Sequence, residues 1–324
     1  MKIDCNVLKN RYENELKKYH EHYIAANIPD PKLLIVGCGL SEESMIYVRN
    51  KIKKCSKFGI EVELIDTIDF YQVCEVIGNA NKNDDISSII LQLPCLNLSK
   101  ELQDKALNLI DGDKDVDKLS KANRLKWLSL SQDDSASCLP ITSQVIVDIL
   151  NYCVCTSDQT KNLISKPNTS SSLIDELFKL LSLELPDLTG YKIALYGRGN
   201  LTNKPLINFL INKNATVTVF HSKSPQDYIL DSKYDIHIVS VGKPRLYKID
   251  DNGHGKKIII IDVGVNRDEN GKVCGDVDTR GFEDNPNILY TPVPKGVGML
   301  VVDELCLQVY INDYVNKLID KIYR

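Results

Sequence analysis

Lys32-Leu33-Leu34-Ile35-Val36-Gly37 is a continuous apolar run of strand length, and the stretch from Glu42 to Lys57 after it holds no Pro or Gly. Short apolar runs bounded by turn residues predict buried strands, and longer uninterrupted stretches between them predict helices. Glu61-Val62-Glu63-Leu64-Ile65 and Ile86-Ser87-Ser88-Ile89-Ile90-Leu91-Gln92-Leu93 supply two more strands, the second stopped at Pro94, with a polar helix over about 68–81 between them. An amphipathic helix over 2–27 precedes the series and ends before Pro29 and Pro31. This β-α-β-α-β rhythm predicts a parallel sheet covered by helices. Ligands of such sheets sit outside the carboxyl ends of the strands, so Gly37 and Gln92 mark one candidate site.

A short helix over 98–109 follows, then the charged loop Lys114-Asp115-Val116-Asp117, a polar linker at 131–135 and a helix from Ile141 to Tyr152. Within residues 153–187 the stretch Lys166-Pro167-Asn168-Thr169-Ser170-Ser171-Ser172 is polar and turn-rich, and the segment predicts a surface insertion that is mobile at its tip. Within it, Ser172 and Asp175 resemble a capping box opening a helix over 173–183. A second α/β series starts at Leu188. Its strands are expected at 192–196, 216–220, 236–240 and 257–263, with a helix over about 204–213 and a last helix over about 300–320.

A chain of 324 residues is long enough for about two domains. The net charge of −4 argues against a general nucleic-acid binder, which carries a basic field. Charges run through the first twenty residues, and no apolar run approaches the roughly 18 residues needed to cross a bilayer. A cytoplasmic protein without membrane spans is therefore expected. The 10 cysteines are scattered, and the close pair Cys153 and Cys155 has one residue between them, against the two or more usual for zinc. They read as reduced thiols, and no metal site is expected.

Tyr47 and Lys51 stand four residues apart, so a helix puts them on one face, a phenol beside a movable proton donor. Alone, such a pair is more often an ordinary helix surface. Gly197-Arg198-Gly199-Asn200 lies between a strand and a helix, where a phosphate meets free N–H groups at a helix N-terminus. The next strand ends in His221-Ser222-Lys223. An NAD site places an acid there; hydroxyls and a cation suit a 2′-phosphate, with Arg198 as a second charge, which favours NADP over NAD.

Eight pieces then occur in one order: Tyr47-Val48-Arg49-Asn50-Lys51, Gln92-Leu93-Pro94, Lys114-Asp115-Val116-Asp117 with Asn123, Gly197-Arg198, Gly242-Lys243-Pro244, Asp262-Val263-Gly264-Val265-Asn266-Arg267, Gly275-Asp276-Val277-Asp278, and Thr291-Pro292-Val293-Pro294 with Gly296-Val297-Gly298. Together they resemble the bifunctional methylenetetrahydrofolate dehydrogenase/methenyltetrahydrofolate cyclohydrolase family over most of the chain except 153–187. The resemblance implies two α/β domains flanking a cleft. Residues 1–145, completed by a C-terminal helix over 299–324, would be the catalytic folate-binding domain. Residues 146–298 would be a Rossmann-like NAD(P)-binding domain carrying the insertion at about 153–187. It implies NADP-dependent oxidation of 5,10-methylenetetrahydrofolate to the methenyl compound and hydrolysis of that to 10-formyltetrahydrofolate, by a homodimer. By the same resemblance Lys51 is the catalytic amine, Tyr47 stacks on the folate, Gln92 orients Lys51 and Asp117 holds the pterin edge. Leu93, Gly298 and Met299 add substrate contacts. Gly197, Arg198, Gly199, Asn200, His221, Ser222, Lys223, Val241, Gly242 and Val265 form the cofactor site.

The chain departs from the family pattern at five places. Lys118 and Lys295 replace glycines, Leu139 replaces a Thr, Gly199 replaces a Ser that would give a phosphate one more donor, and Met299-Leu300-Val301 replaces Pro-Met-Thr. Two alternatives stay open at this level: a degenerate folate- or nucleotide-binding protein with little turnover, and another two-domain NADP-dependent dehydrogenase with a small acidic substrate.

Overall fold

A computed structural model of the chain describes residues 1–131, 134–155, 185–225, 227–249 and 255–323. The expected helix over 173–183, its capping box and most of the expected insertion lie outside these residues. The chain divides into two compact units. One is Lys9–Lys126 with Val302–Arg324, and the other is Met1–Leu8 with Trp127–Val301.

The first unit is built on a parallel three-stranded sheet of β1 (Lys32–Cys38), β2 (Glu61–Thr67) and β3 (Ser88–Leu91), in the order β2-β1-β3. Its helices are α1 (Asn6–Ala25), α2 (Glu42–Lys57), α3 (Phe70–Lys82), α4 (Lys100–Leu107), α5 (Lys121–Leu128) and most of the last helix (Val297–Tyr323). Leu34, Val36, Val73, Ile77, Ile89, Leu91 and Leu107 form one buried cluster, each large side chain contributing roughly 1.5–3 kcal/mol by leaving water. Two local devices start and aim α2. Ser41 Oγ accepts the Ser44 N–H at 3.1 Å, and Glu42 and Glu43 in the first turn with Lys54 and Lys57 in the last complement the helix dipole. The last helix is tied down by the buried carboxylate of Asp303, paired with Lys54, by Tyr310, whose hydroxyl donates to the Phe58 carbonyl at 2.6 Å, and by Cys306, whose Sγ lies 3.6 Å from that of Cys55.

The second unit carries a parallel sheet in the order β12-β9-β7-β4-β5. Its strands are β4 (Lys192–Tyr196), β5 (Thr216–Phe220), β7 (Ile236–Val239), β9 (Ile258–Asp262) and β12 (Ile288–Tyr290). Two small ribbons join it, β6 (Ile229–Leu230) with β8 (Lys248–Ile249) and β10 (Asn266–Arg267) with β11 (Val273–Cys274). Helices α6 (Ile141–Val154) and α7 (Asn203–Asn212) belong to this unit. Asn208 and Asn212 donate to the carbonyls of Leu128 and Leu130 at 2.7 and 2.6 Å, and Ser143 Oγ donates to the Thr202 carbonyl at 2.9 Å. These bonds draw the segment from Trp127 onward into this unit, ahead of the expected boundary near 145. The expected helix over 2–27 begins only at Asn6, because Lys2 bridges to Tyr290 and the Ile3 N–H donates to the Tyr290 carbonyl at 2.8 Å. No described helix is long and apolar enough to cross a membrane.

Candidate functional site

In the three-stranded sheet the chain runs from the central strand β1 to β2 on one side and then back to β3 on the other. That reversal opens a crevice at the carboxyl ends of β1 and β3. Gln92 follows β3 directly, and its N–H donates to the Val36 carbonyl at 2.8 Å. Its side-chain Nε2 donates to the Leu93 carbonyl at 2.9 Å, which turns Oε1 toward α2, where it accepts from Lys51 Nζ at 2.9 Å. Tyr47 lies one turn before Lys51 and is 49% exposed, so its ring is open to a ligand and not part of the core.

The acidic loop splits into two roles. The Ile89 N–H donates to the Lys114 carbonyl at 2.7 Å and Ile89 bridges Asp115, so the loop runs alongside β3 and carries Asp117 to the strand's carboxyl end. Asp115 is buried and accepts from the Ser120 N–H at 2.7 Å and Asn123 Nδ2 at 3.1 Å, which commits it to holding the loop. The Asp117 carboxylate has no hydrogen-bond partner among the described residues. Burial pushes its pKa above the ordinary carboxylate value, against the pull of the Lys51 ammonium and with the help of Asp115. A carboxylate held this way, beside an amine fixed by an amide, can receive N–H donors from a ligand.

The five-stranded sheet repeats the reversal. From β4 the chain passes to β5 on one side, then to β7 on the other, so its crevice opens between β4 and β7. Gly197, at the end of β4, has φ +104°, and a β-carbon there would lie 2.2 Å from the Ser240 carbonyl oxygen; no other residue fits. Asn203 Nδ2 donates to the Tyr196 carbonyl at 2.7 Å and ties the start of α7 to this turn, while Asn203 Oδ1 stays buried without a partner. Arg198, Gly199 and Asn200 are exposed. A β-carbon at Gly199 would meet open space, so nothing in the packing requires glycine there. On the neighbouring strand end, the His221 N–H donates to Ser224 Oγ at 3.1 Å and the Lys223 N–H to His221 Nδ1 at 3.2 Å, a tight turn that leaves Ser222 and Lys223 exposed. Val241 and Gly242 follow β7.

The five-stranded unit thus brings the predicted residues Gly197, Arg198, Gly199, Asn200, His221, Ser222, Lys223, Val241, Gly242 and Val265 to the carboxyl edge of one sheet. It also sets Gly298 beside Val265, whose Cγ2 would be 3.9 Å from a β-carbon at 298, with Met299 next along the last helix. The three-stranded unit brings together Lys51, Gln92, Leu93 and Asp117, with Tyr47 one turn away on α2. Lys118 and Lys295 both adopt left-handed backbone, φ +57° and +78°, which explains glycine as the family residue at each and costs a non-glycine residue ~1–2 kcal/mol. Lys118 Nζ in turn donates to Gln308 Oε1 on the last helix at 2.8 Å, a tie that glycine cannot make. Leu139 is fully buried where the family has Thr. Asp262, Asp276 and Asn203 were given no role by the sequence. The signal for Asp262 was an acid closing an apolar run of four isoleucines.

Fold and site define the class first: a two-unit α/β protein with an amine–amide–carboxylate group at one sheet and a glycine turn feeding a helix at the other. Two family models match the chain, the tetrahydrofolate dehydrogenase/cyclohydrolase catalytic domain over residues 3–117 and the NAD(P)-binding domain of the same name over residues 169–315. The bifunctional protein FolD of Lactococcus lactis subsp. lactis is 30% identical over 310 residues, covering 94% of each chain. Among solved structures, the bifunctional FolD methylenetetrahydrofolate dehydrogenase/cyclohydrolase of Campylobacter jejuni gives a TM-score of 0.74 at 25% identity, covering 97% of this chain and 98% of its own. The Trypanosoma brucei enzyme, solved with NADP cofactor and an inhibitor, gives 0.76 at 21% identity over 98% of both chains. The chain belongs to the tetrahydrofolate dehydrogenase/cyclohydrolase family.

Proposed function

We propose that this chain is a bifunctional enzyme of one-carbon metabolism. It oxidises 5,10-methylenetetrahydrofolate to 5,10-methenyltetrahydrofolate with NADP, then hydrolyses the methenyl compound to 10-formyltetrahydrofolate. The observation that carries the reading is the Lys51 Nζ–Gln92 Oε1 contact at 2.9 Å beside the unpartnered carboxylate of Asp117.

The Asp117 carboxylate takes the amino and ring N–H donors of the pterin, and the exposed Tyr47 ring covers its face. Gln92 holds the Lys51 amine at the crevice. When water adds to the methenyl carbon and the ring opens, Lys51 moves the protons that the bond changes require. The residues at the other sheet fit NADP: Gly197 permits close approach, the N-terminus of α7 faces the turn, and Arg198, Ser222 and Lys223 stand exposed with no acid among residues 221–224. NADP, when bound, supplies the hydride acceptor at C4 of its nicotinamide, and the protein's part in that step is alignment. A cytoplasmic homodimer is part of the same proposal and rests on the family resemblance; sedimentation of the purified chain tests the dimer.

The test is to mix the purified protein with methylenetetrahydrofolate and NADP or NAD, and to follow reduced nicotinamide and the methenyl compound. Reduction with NADP at the higher kcat/KM, and consumption of added methenyltetrahydrofolate, are the expected results. Ligand binding with neither reaction would make the chain a binding protein. A higher kcat/KM with NAD would overturn the cofactor assignment alone.

A further inference from the structure

Asp276 lies in the turn after β11 and is fully buried, outside every role given so far. Its carboxylate accepts four hydrogen bonds. Oδ2 takes the backbone N–H groups of Val241 and Gly242 at 2.7 and 3.1 Å, and Oδ1 takes the Lys243 N–H and Asn266 Nδ2, both at 2.8 Å. Three successive N–H groups converging on one anion form a nest, and here the anion is the protein's own.

Asp276 is itself gripped from behind. Asp262, at the end of β9, accepts the N–H groups of Gly264 and Asp276 at 3.0 Å each and of Val277 at 2.9 Å. The two carboxylates sit so close to the opposite backbone that only glycine fits there. A β-carbon at Gly264 would lie 2.3 Å from the Asp276 carboxyl group, and one at Gly275 would lie 1.9 Å from Asp262 Oδ2. The motifs Asp262-Val263-Gly264 and Gly275-Asp276 are therefore two halves of one lock, and the loop at 241–243 hangs on it.

We propose that Asp276 is a positioning residue of the nucleotide site, holding the 241–243 loop at the switch point between β4 and β7. The inference rests on reading that loop as part of the nucleotide site. With their N–H groups spent on Asp276, residues 241–243 have none left for a phosphate and meet the nucleotide through carbonyl oxygens and the bare Cα of Gly242. Asp276 touches no substrate; it acts through the loop.

The full chain carrying Asp276→Ala, Asp276→Asn or Asn266→Ala tests this. The readouts are the KM for NADP in methylenetetrahydrofolate oxidation and, separately, the rate of methenyltetrahydrofolate hydrolysis. Hydrolysis consumes no nucleotide, so general damage lowers it and a loop displacement does not. Asp276→Ala strips the loop of its anion, and the KM for NADP should rise about tenfold or more, the scale of losing charge-assisted hydrogen bonds. Asp276→Asn keeps one acceptor oxygen and should restore part of the loss. Asn266→Ala removes one of the four donors and should cost least. If Asp276→Ala does not fold, the other two variants carry the test. An unchanged KM for NADP in Asp276→Asn, or hydrolysis falling in step with nucleotide affinity in all three variants, overturns the proposal. If the unmutated protein binds neither NADP nor NAD in a titration, the reading of the nucleotide site fails and takes this inference with it. Binding by the unmutated protein with unchanged variants sinks the inference alone.

Discussion

At the switch point of the three-stranded sheet, the groups on offer are side chains: the Lys51 amine on α2, the Gln92 amide after β3 and the Asp117 carboxylate on a loop. At the switch point of the five-stranded sheet the backbone sets the shape, through the Gly197 turn against the Ser240 carbonyl and a loop whose N–H groups are held by Asp276, and the exposed side chains of Arg198, Ser222 and Lys223 supply the polar groups. The same strand reversal produces both crevices, so topology alone does not say what each will do. A site that moves protons needs titratable side chains held at their tips. A site that holds a large, flat, charged molecule needs close backbone approach and a fixed loop. The difference shows in what each can tolerate: Lys118, in left-handed backbone where the family has glycine, is accommodated through its bond to Gln308, whereas Gly197 has no such latitude.

The sharpest way to break this comparison is Lys51→Met, which keeps the bulk of the stem and removes the amine. Hydrolysis of methenyltetrahydrofolate should fall by the ~10²–10⁴ typical of losing a general acid–base group, with little change in thermal stability and none in NADP affinity. Full hydrolysis in a folded variant would return Tyr47 and Lys51 to an ordinary helix-face pair.

Acid acts on the five-stranded unit through the buried imidazole of His237. His237, on β7, is buried with Tyr196 OH 3.3 Å from its Nδ1 and no partner for Nε2. Burial lowers its pKa to about 3, with the Asp231 carboxylate opposing. The folded chain therefore keeps it neutral while the unfolded chain protonates it below about 6.5, so stability is lost as pH falls from about 6.5 toward 3. Between pH 7 and pH 5 that amounts to about 2 kcal/mol. His237→Phe should lose correspondingly less over that interval in denaturant titrations; an identical pH dependence would remove His237 from the account.

The smallest expected effect sharpens the nucleotide side. A serine at 199 meets open space and returns one hydroxyl donor to the turn. Gly199→Ser should tighten NADP several-fold, the scale of one neutral hydrogen bond, ~0.5–1.5 kcal/mol. Unchanged or weaker binding would mean that the turn does not face a phosphate.

Much of this was legible in the sequence because apolar runs of strand length are strong signals. The strands β4 and β5 lie where the pattern puts them, and the other expected strands and helices within the described residues match or differ at their ends by a few residues. The three-residue strand β12 and the two ribbons were missed, since two or three residues carry no period. So was α5, where Lys121–Leu128 mixes cations with single apolar residues. The start of α1 was misplaced because pairing with Tyr290 overrides local helix preference, and pairing across 288 positions has no local signature. Tyr47, Lys51, Gln92 and Asp117 were visible as motif residues. That Asp115 would be spent on Ser120 and Asn123 while its neighbour two residues on stays unpartnered was not visible, because the loop's course beside β3 decides it.

The central claim, that the side-chain group of the three-stranded unit takes the folate while the glycine turn of the five-stranded unit takes the nucleotide, is tested most directly by titrating both ligands into Asp117→Ala. The account predicts that folate affinity falls by a few kcal/mol, the cost of losing a charged partner for desolvated donors, and that NADP affinity stays at the unmutated value. Unchanged folate affinity, or a parallel loss of NADP affinity, would contradict it.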